Sequence, residues 1–399
     1  MPNLVGRPLT ALEADSRLQT PPSACPNVLS FHPPSVREAD PMDDSARPAR
    51  LVSSSRRASW YAWPVIIAML FAAGCGAKSS SSLTASPTTA PAGTSGTAGD
   101  ALGNGVNGVR LYVEPHGGAK WLTAPIKAAK RTLDLTMYLL TNKTIIHALE
   151  YAKAKGVAVR VILEQHPYGG SSSGPSTNQS AYDQLDAAGI SVHWASSRYA
   201  LTHEKSMVID GSTAYILTLN FTGTAFSKNR EFGVVDHDSA DVAEIAALFT
   251  ADWAGAPYTP RDPNIFLSPV NSRAHLIELI GRAKHTMEVY AEEVQDSGLE
   301  AAMVAAARRG VKVRVISNAG DKTNTKGIAV LTAGGVAVRL VTTPYIHAKL
   351  VLVDDEWAFV GSENISAASL DRNRELGILI RDRAALSQLN STFNGDWGA

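Results

Sequence analysis

The feature that most constrains this chain is that much of it is written twice. AAKRTLDLTMY at 128–138 aligns with RAKHTMEVYAE at 282–292, and GVAVRVILE at 156–164 with GVKVRVISN at 310–318, both at an offset of 154. GISVHW at 189–194 aligns with GVAVRL at 335–340, and Asp252-Trp253 returns as Asp396-Trp397. A chain built this way is expected to fold as two copies of one architecture, with residues 257–263, rich in Pro, as the junction.

Each copy reads as an α/β unit. TIIHALEYAKAK and LEAAMVAAARR carry apolar residues at helical spacing and stop at Gly156 and Gly310, residues suited to the position just past a helix end. These helices lie between segments rich in β-branched residues, so strands and helices alternate. Later strands are joined by short turns and lie next to one another, which predicts a mixed sheet flanked by helices in each half, 109–256 and 264–399. The first half carries a longer loop, 166–184, than its counterpart 319–328, and this loop is expected to border the functional cleft.

A second repeat, at an offset of 144, carries the chemistry. His203, Lys205, Asp210, Asn220 and Glu231 recur in register as His347, Lys349, Asp354, Asn364 and Glu375. The flanks agree as well, Asn229-Arg230-Glu231 against Asn373-Arg374-Glu375. On a strand, residues two apart face the same way, so each imidazole and ammonium pair is expected to point into one site. The same parity sends Asp210 and Asp354 to the opposite face. Each precedes a turn, Gly211-Ser212 or Asp355-Glu356, and a structural role is expected for both.

These motifs resemble the phospholipase D superfamily, whose signature is His-x-Lys-x4-Asp followed by Gly-Ser-x-Asn. The second copy fits in full, with Gly361, Ser362 and Asn364. The first departs from it, carrying Leu217 and Thr218 where Gly and Ser are usual. The resemblance implies two phospholipase D-like α/β domains related by a pseudo-twofold axis, with both motifs in one cleft. It implies that one histidine attacks phosphorus while the other serves the leaving alcohol, and family precedent puts His203 first and His347 second. Lys205, Lys349, Asn220 and Asn364 would hold the phosphoryl oxygens, with Thr218 and Ser362 assisting. Glu231 and Glu375 would accept from the far ring nitrogens of the histidines.

No metal or other cofactor is expected, because a lysine two residues from each histidine opposes a bound cation and no close histidine pair occurs. His116, His147, His166, His193, His237, His275 and His285 read as surface or loop residues. Glu292 and Glu293, at the end of MEVYA, read as a solvated strand end, with capture of a cationic head group as the less favoured use.

Charge and cysteine content narrow the choice. Of 37 basic and 37 acidic residues, residues 1–75 hold seven Arg against six acidic groups, which leaves 76–399 at a net of −1. A near-neutral body weighs against a non-specific nucleic-acid binder. Cys25 and Cys75 are the only cysteines, so the body beyond residue 75 has neither a disulfide of its own nor a thiol nucleophile.

Residues 1–54 read as disordered or as sequence ahead of the true start, with Met42 a plausible initiator. Residues 55–75 read as an export signal: Arg56 and Arg57, then the apolar run ASWYAWPVIIAMLFAAG, then Cys75. Ala72, Ala73 and Gly74 before Cys75 resemble a bacterial lipoprotein box, which implies a lipid on Cys75. The stretch 76–108 reads as a flexible Ser/Thr/Gly tether.

The expectation is a monomeric phosphodiesterase, exported and held at the cell envelope or secreted. It would act on phospholipid by hydrolysis or by transfer to another alcohol. The alternatives are a metal-independent nuclease of the same fold, with nucleic acid as partner, or a non-catalytic lipid- or anion-binding relic.

Overall fold

In a computed structural model of the chain, residues 101–168 and 175–398 are described. The expected initiator, signal, lipidated Cys75 and most of the tether, like the tip of the 166–184 loop, lie outside the described residues.

Two sheets of the same strand order dominate. In the first half the order is Arg110–Glu114, Asn229–Asp236, Thr213–Leu217, Lys205–Ile209, Thr132–Met137, Ala158–Leu163, Ser191–Trp194. In the second it is Ile265–Ser268, Glu375–Ile380, Trp357–Gly361, Leu350–Val353, Thr286–Tyr290, Lys312–Asn318, Ala337–Val341. The last three strands of each path run parallel, and the remaining pairings are antiparallel. Both sheets are therefore mixed, as the repeat and its turns predict.

The parallel steps need crossovers, and the expected helices supply them at Lys143–Ala154 and Ser297–Arg308. Asn142 accepts from the amides of Thr144 and Ile145 at the start of the first, and Asp296 from that of Leu299 at the start of the second. Gly156 and Gly310 end them at φ of +90° and +94°, a region that glycine occupies without cost.

Alternation along the strands divides the interior. Val208, Ala214 and Ile216 face a core shared by both halves, where they meet Leu350, Leu352 and Val360. Their neighbours Met207, Ile209, Tyr215 and Leu217 turn outward beneath the first half's helices, and Val351 and Val353 do the same in the second half. The helices that close each copy, Ser239–Trp253 and Arg383–Gly398, also feed the shared core, through Ile245, Leu248, Leu389 and Phe393. The halves thus form one unit around a common interior.

Three local expectations change. Residues 101–108 are packed rather than a free tether: Leu102 is buried, the Gly103 amide donates to the Pro263 carbonyl at 2.8 Å, and Val106 bridges Ile380. The loop that begins at His166 is shorter than its composition suggests, because residues from Gln179 onward form a helix, Gln179–Ala187. His275 is not a surface residue but is fully buried against Phe266. Among the described residues no helix is long and apolar enough to cross a membrane.

Candidate active site

The two motifs are brought together by an exchange between the halves. His203 and His347 sit just before their strands rather than within them, and the strands begin at Lys205 and Leu350. The segment ahead of each histidine pairs with the other half. The His203 amide donates to the Arg374 carbonyl at 2.9 Å, while Tyr345–Ile346 runs parallel to Asn229 and Arg230 and the His347 amide donates to the Arg230 carbonyl at 3.3 Å.

Each glutamate therefore meets the imidazole of the opposite copy. His203 Nδ1 lies 2.8 Å from Glu375 Oε2, and His347 Nδ1 lies 2.9 Å from Glu231 Oε2. The arginine beside each glutamate locks the exchange. Arg230 pairs with Asp396 of the second copy at 2.6 and 2.8 Å, and the fully buried Arg374 lies 3.0 Å from Asp252 of the first.

With a carboxylate on Nδ1, each ring keeps its proton there and presents Nε2 as the reactive nitrogen. The glutamates are themselves held. Glu231 accepts from Thr218 Oγ1 at 2.7 Å and Asn229 Nδ2 at 3.2 Å, and Glu375 accepts from Ser369 Oγ at 2.6 Å and Asn373 Nδ2 at 3.1 Å. Lys205 and Lys349 are buried and each donates to the backbone carbonyl of its own motif's histidine.

Burial shapes the charges. It pushes the His203 imidazole down to about 4 despite the pull of Glu375, so this ring is neutral near pH 7. It pushes the Lys205 ammonium down to about 7, against the nearby carboxylates of Glu375, Glu292 and Glu231. Burial also drives Glu363 well above the usual carboxyl range, with Glu375 adding to the shift, and Ser272 Oγ donates to it at 2.8 Å.

The second half adds a group to the site that has no acidic counterpart in the first. Glu292 Oε2 lies 2.5 Å from Lys349 Nζ and 3.7 Å from His347 Nε2. Burial alone would raise this carboxyl, but His347 and Lys349 outweigh it and hold it well below its ordinary value. The fields of Lys349 and Glu292 reach His203 as well, which puts both imidazoles in one electrostatic site.

A family model described as "Cardiolipin synthase, PLD-like domain" matches residues 122–253 and 276–397, one match per repeat. The chain belongs to the phospholipase D-like family. It is 25% identical over 338 residues to a cardiolipin synthase of Listeria welshimeri, covering 73% of this chain and 69% of that protein. It is also 25% identical over 323 residues to the major cardiolipin synthase of Bacillus subtilis, covering 69% of this chain and 66% of the relative.

Among solved structures, the Haemophilus influenzae phosphatidylserine synthase superposes with a TM-score of 0.58 at 12% identity, over 72% of this chain and 85% of that one. Polyphosphate kinase from Porphyromonas gingivalis gives 0.57 at 17% identity, over 72% and 50%. At these identities the likeness is one of fold.

Within this phospholipase D-like frame, the signature residues separate by place. His203, His347, Lys205, Lys349, Glu231 and Glu375 converge. Asn220 and Asn364 are also buried, and among the described residues nothing donates to Oδ1 of either.

Thr218 and Ser362 were expected to assist at the phosphoryl oxygens, and the structure corrects this. Both are fully buried, the Thr218 hydroxyl is bound to Glu231 and the Phe232 amide, and Ser362 Oγ accepts from the Leu376 amide. They brace the glutamate-bearing strands from behind.

Asp210 and Asp354 lie in turns at the far ends of the strands, in left-handed backbone at φ of +56° and +52°. Asp210 accepts from the amides of Lys130, Arg131 and Thr132, and Asp354 from those of Lys284, His285 and Thr286. Each ties its hairpin to the start of the neighbouring strand.

Glu292 is no solvated strand end, and sequence reasoning gave it too little weight. Tyr138 was also missed: its ring makes a T-shaped contact with His203 at 4.6 Å and lies beneath Lys205 Nζ at 4.9 Å. The signal for both was the repeat, since position 292 aligns with position 138. Among the described residues no group of three or more His, Cys, Asp or Glu could hold a metal ion.

Proposed function

We propose that the chain cleaves phospholipid phosphodiesters by double displacement and passes the phosphatidyl group to water or to another alcohol. The observation that carries this reading is the exchanged pair of imidazole–carboxylate contacts, which commits Nδ1 of each ring and leaves Nε2 for chemistry. The Nε2 lone pair of His203 bonds to phosphorus as the ester P–O bond to the head-group alcohol breaks. His347, as imidazolium, gives its Nε2 proton to the departing alkoxide. The neutral His347 then takes a proton from water or an acceptor alcohol, whose oxygen bonds to phosphorus and releases His203.

Glu375 and Glu231 hold the tautomers, and Lys205, Lys349, Asn220 and Asn364 receive the non-bridging oxygens. The names of the relatives, cardiolipin synthases, support a lipid substrate and favour transfer over hydrolysis. Within the same reading the chain is exported as a monomer and tethered by lipid on Cys75, which brings the cleft to the membrane surface.

The test incubates the protein with labelled phosphatidylcholine vesicles in EDTA and follows choline release and labelled protein. Label is expected on wild type but not on His203→Ala. Complete loss of activity in EDTA, or cleavage of single-stranded DNA without any choline release, would overturn the lipid phosphohistidine reading.

A further inference from the structure

The two halves supply nearly identical sets of histidine, lysine, asparagine and glutamate, so the repeat by itself does not say which imidazole attacks. One position breaks the equivalence beside the rings. At the offset of 154, Tyr138 in the first half stands where the second has Glu292.

Around His203 the charged and titratable neighbours are Glu375 on Nδ1, Lys205 and, farther off, Lys349 and Glu292, with the Tyr138 ring in T-shaped contact at 4.6 Å. Around His347 they are Glu231 on Nδ1, Lys349, and Glu292 at 3.7 Å from Nε2. Glu292 is fixed in turn by Lys349 and by the Tyr345 hydroxyl, which donates to Oε1 at 3.3 Å. His347 thus has a carboxylate near each ring nitrogen, whereas His203 has one carboxylate in contact and the Tyr138 ring beside it, with Glu292 farther off.

We infer that Glu292 is the positioning residue that divides the two roles: its carboxylate holds the proton of His347 ready for the leaving alcohol, and the Tyr138 ring in the equivalent place leaves His203 to attack. A carboxylate beside a ring nitrogen stabilises the imidazolium and orients its N–H. A neutral phenol ring has no formal charge with which to do the same. The same contact engages Lys349, so the less compensated ammonium, that of Lys205, lies on the His203 side, where the phosphoryl group must be drawn. This assignment rests on the double-displacement reading above, and the experiment separates the two.

The test compares Glu292→Gln with wild type on two substrates in EDTA: phosphatidylcholine, whose alkoxide needs a proton to leave, and the p-nitrophenyl ester of phosphatidate, whose phenolate does not. Gln keeps the volume and an oxygen for Lys349, and its thermal midpoint checks the fold. General acid catalysis contributes roughly 10²–10⁴-fold. Choline release should therefore fall at least about tenfold, while the first-turnover burst of p-nitrophenolate falls by less than about twofold. Equal losses on both substrates, or no loss on either, would overturn the role of Glu292. If wild type gives no burst, or His203→Ala retains one, the double-displacement reading fails instead.

Discussion

Replacing Glu375 by Gln should weaken the fold through a histidine of the other half, and the size of the effect can be worked from one contact. The His203–Glu375 bond is 2.8 Å long, with side chains 11% and 0% exposed, so solvent screens it little. A hydrogen bond to a charged group contributes about 1.5–3 kcal/mol. In a double-mutant cycle of His203→Ala and Glu375→Gln, followed by urea unfolding at pH 7, the coupling energy should fall in that range.

The control is the pair within one half. His203 has no bond to Glu231, which sits on His347, so His203→Ala and Glu231→Gln should couple by less than about 1 kcal/mol, well below the exchanged pair. The amide introduced by Glu375→Gln retains a carbonyl for one of the donors, and the cycle cancels whatever each single change does to Ser369 and Asn373. If coupling instead followed the order of the sequence, strong between 203 and 231 and weak between 203 and 375, the exchanged architecture would be refuted.

The pH dependence follows from the shifts near the rings. Burial lowers both His203 and Lys205, so kcat/KM on phosphatidylcholine should rise as pH climbs through about 4, where His203 becomes neutral, and decline above about 7, where Lys205 loses its charge. An acid limb at the ordinary histidine value would refute the desolvated site. Asp210→Ala and Asp354→Ala each orphan three backbone amides and should cost about 1–3 kcal/mol in urea unfolding, with turnover of the folded fraction maintained. Loss of turnover at unchanged stability would instead place these residues in the chemistry.

Much of this protein could be read from its residues alone. Period-3.6 segments ending at Gly156 and Gly310, and β-branched runs alternating with them, specify helices and strands through local packing and backbone freedom. Internal duplication extends that to two equal sheets. The spacing of His, Lys, Asn and Glu marks the site because four such polar positions in register twice have no common structural cause. The turn residues that follow Asp210 and Asp354 also mark those two as structural.

Tertiary structure decided the rest, because periodicity says which face a residue takes but not which copy of a strand lies beside it. Both glutamates are equally compatible with either histidine on paper. Pairing of Tyr345–Ile346 with Asn229–Arg230, and of Thr202 with Arg374, selects the exchanged partners. Within each sheet, strand pairing turns the Thr218 and Ser362 hydroxyls inward and brings Glu292 against Lys349. The exchanged histidine–glutamate contacts join residues of different halves, and only the closing of two sheets over one core sets such distances.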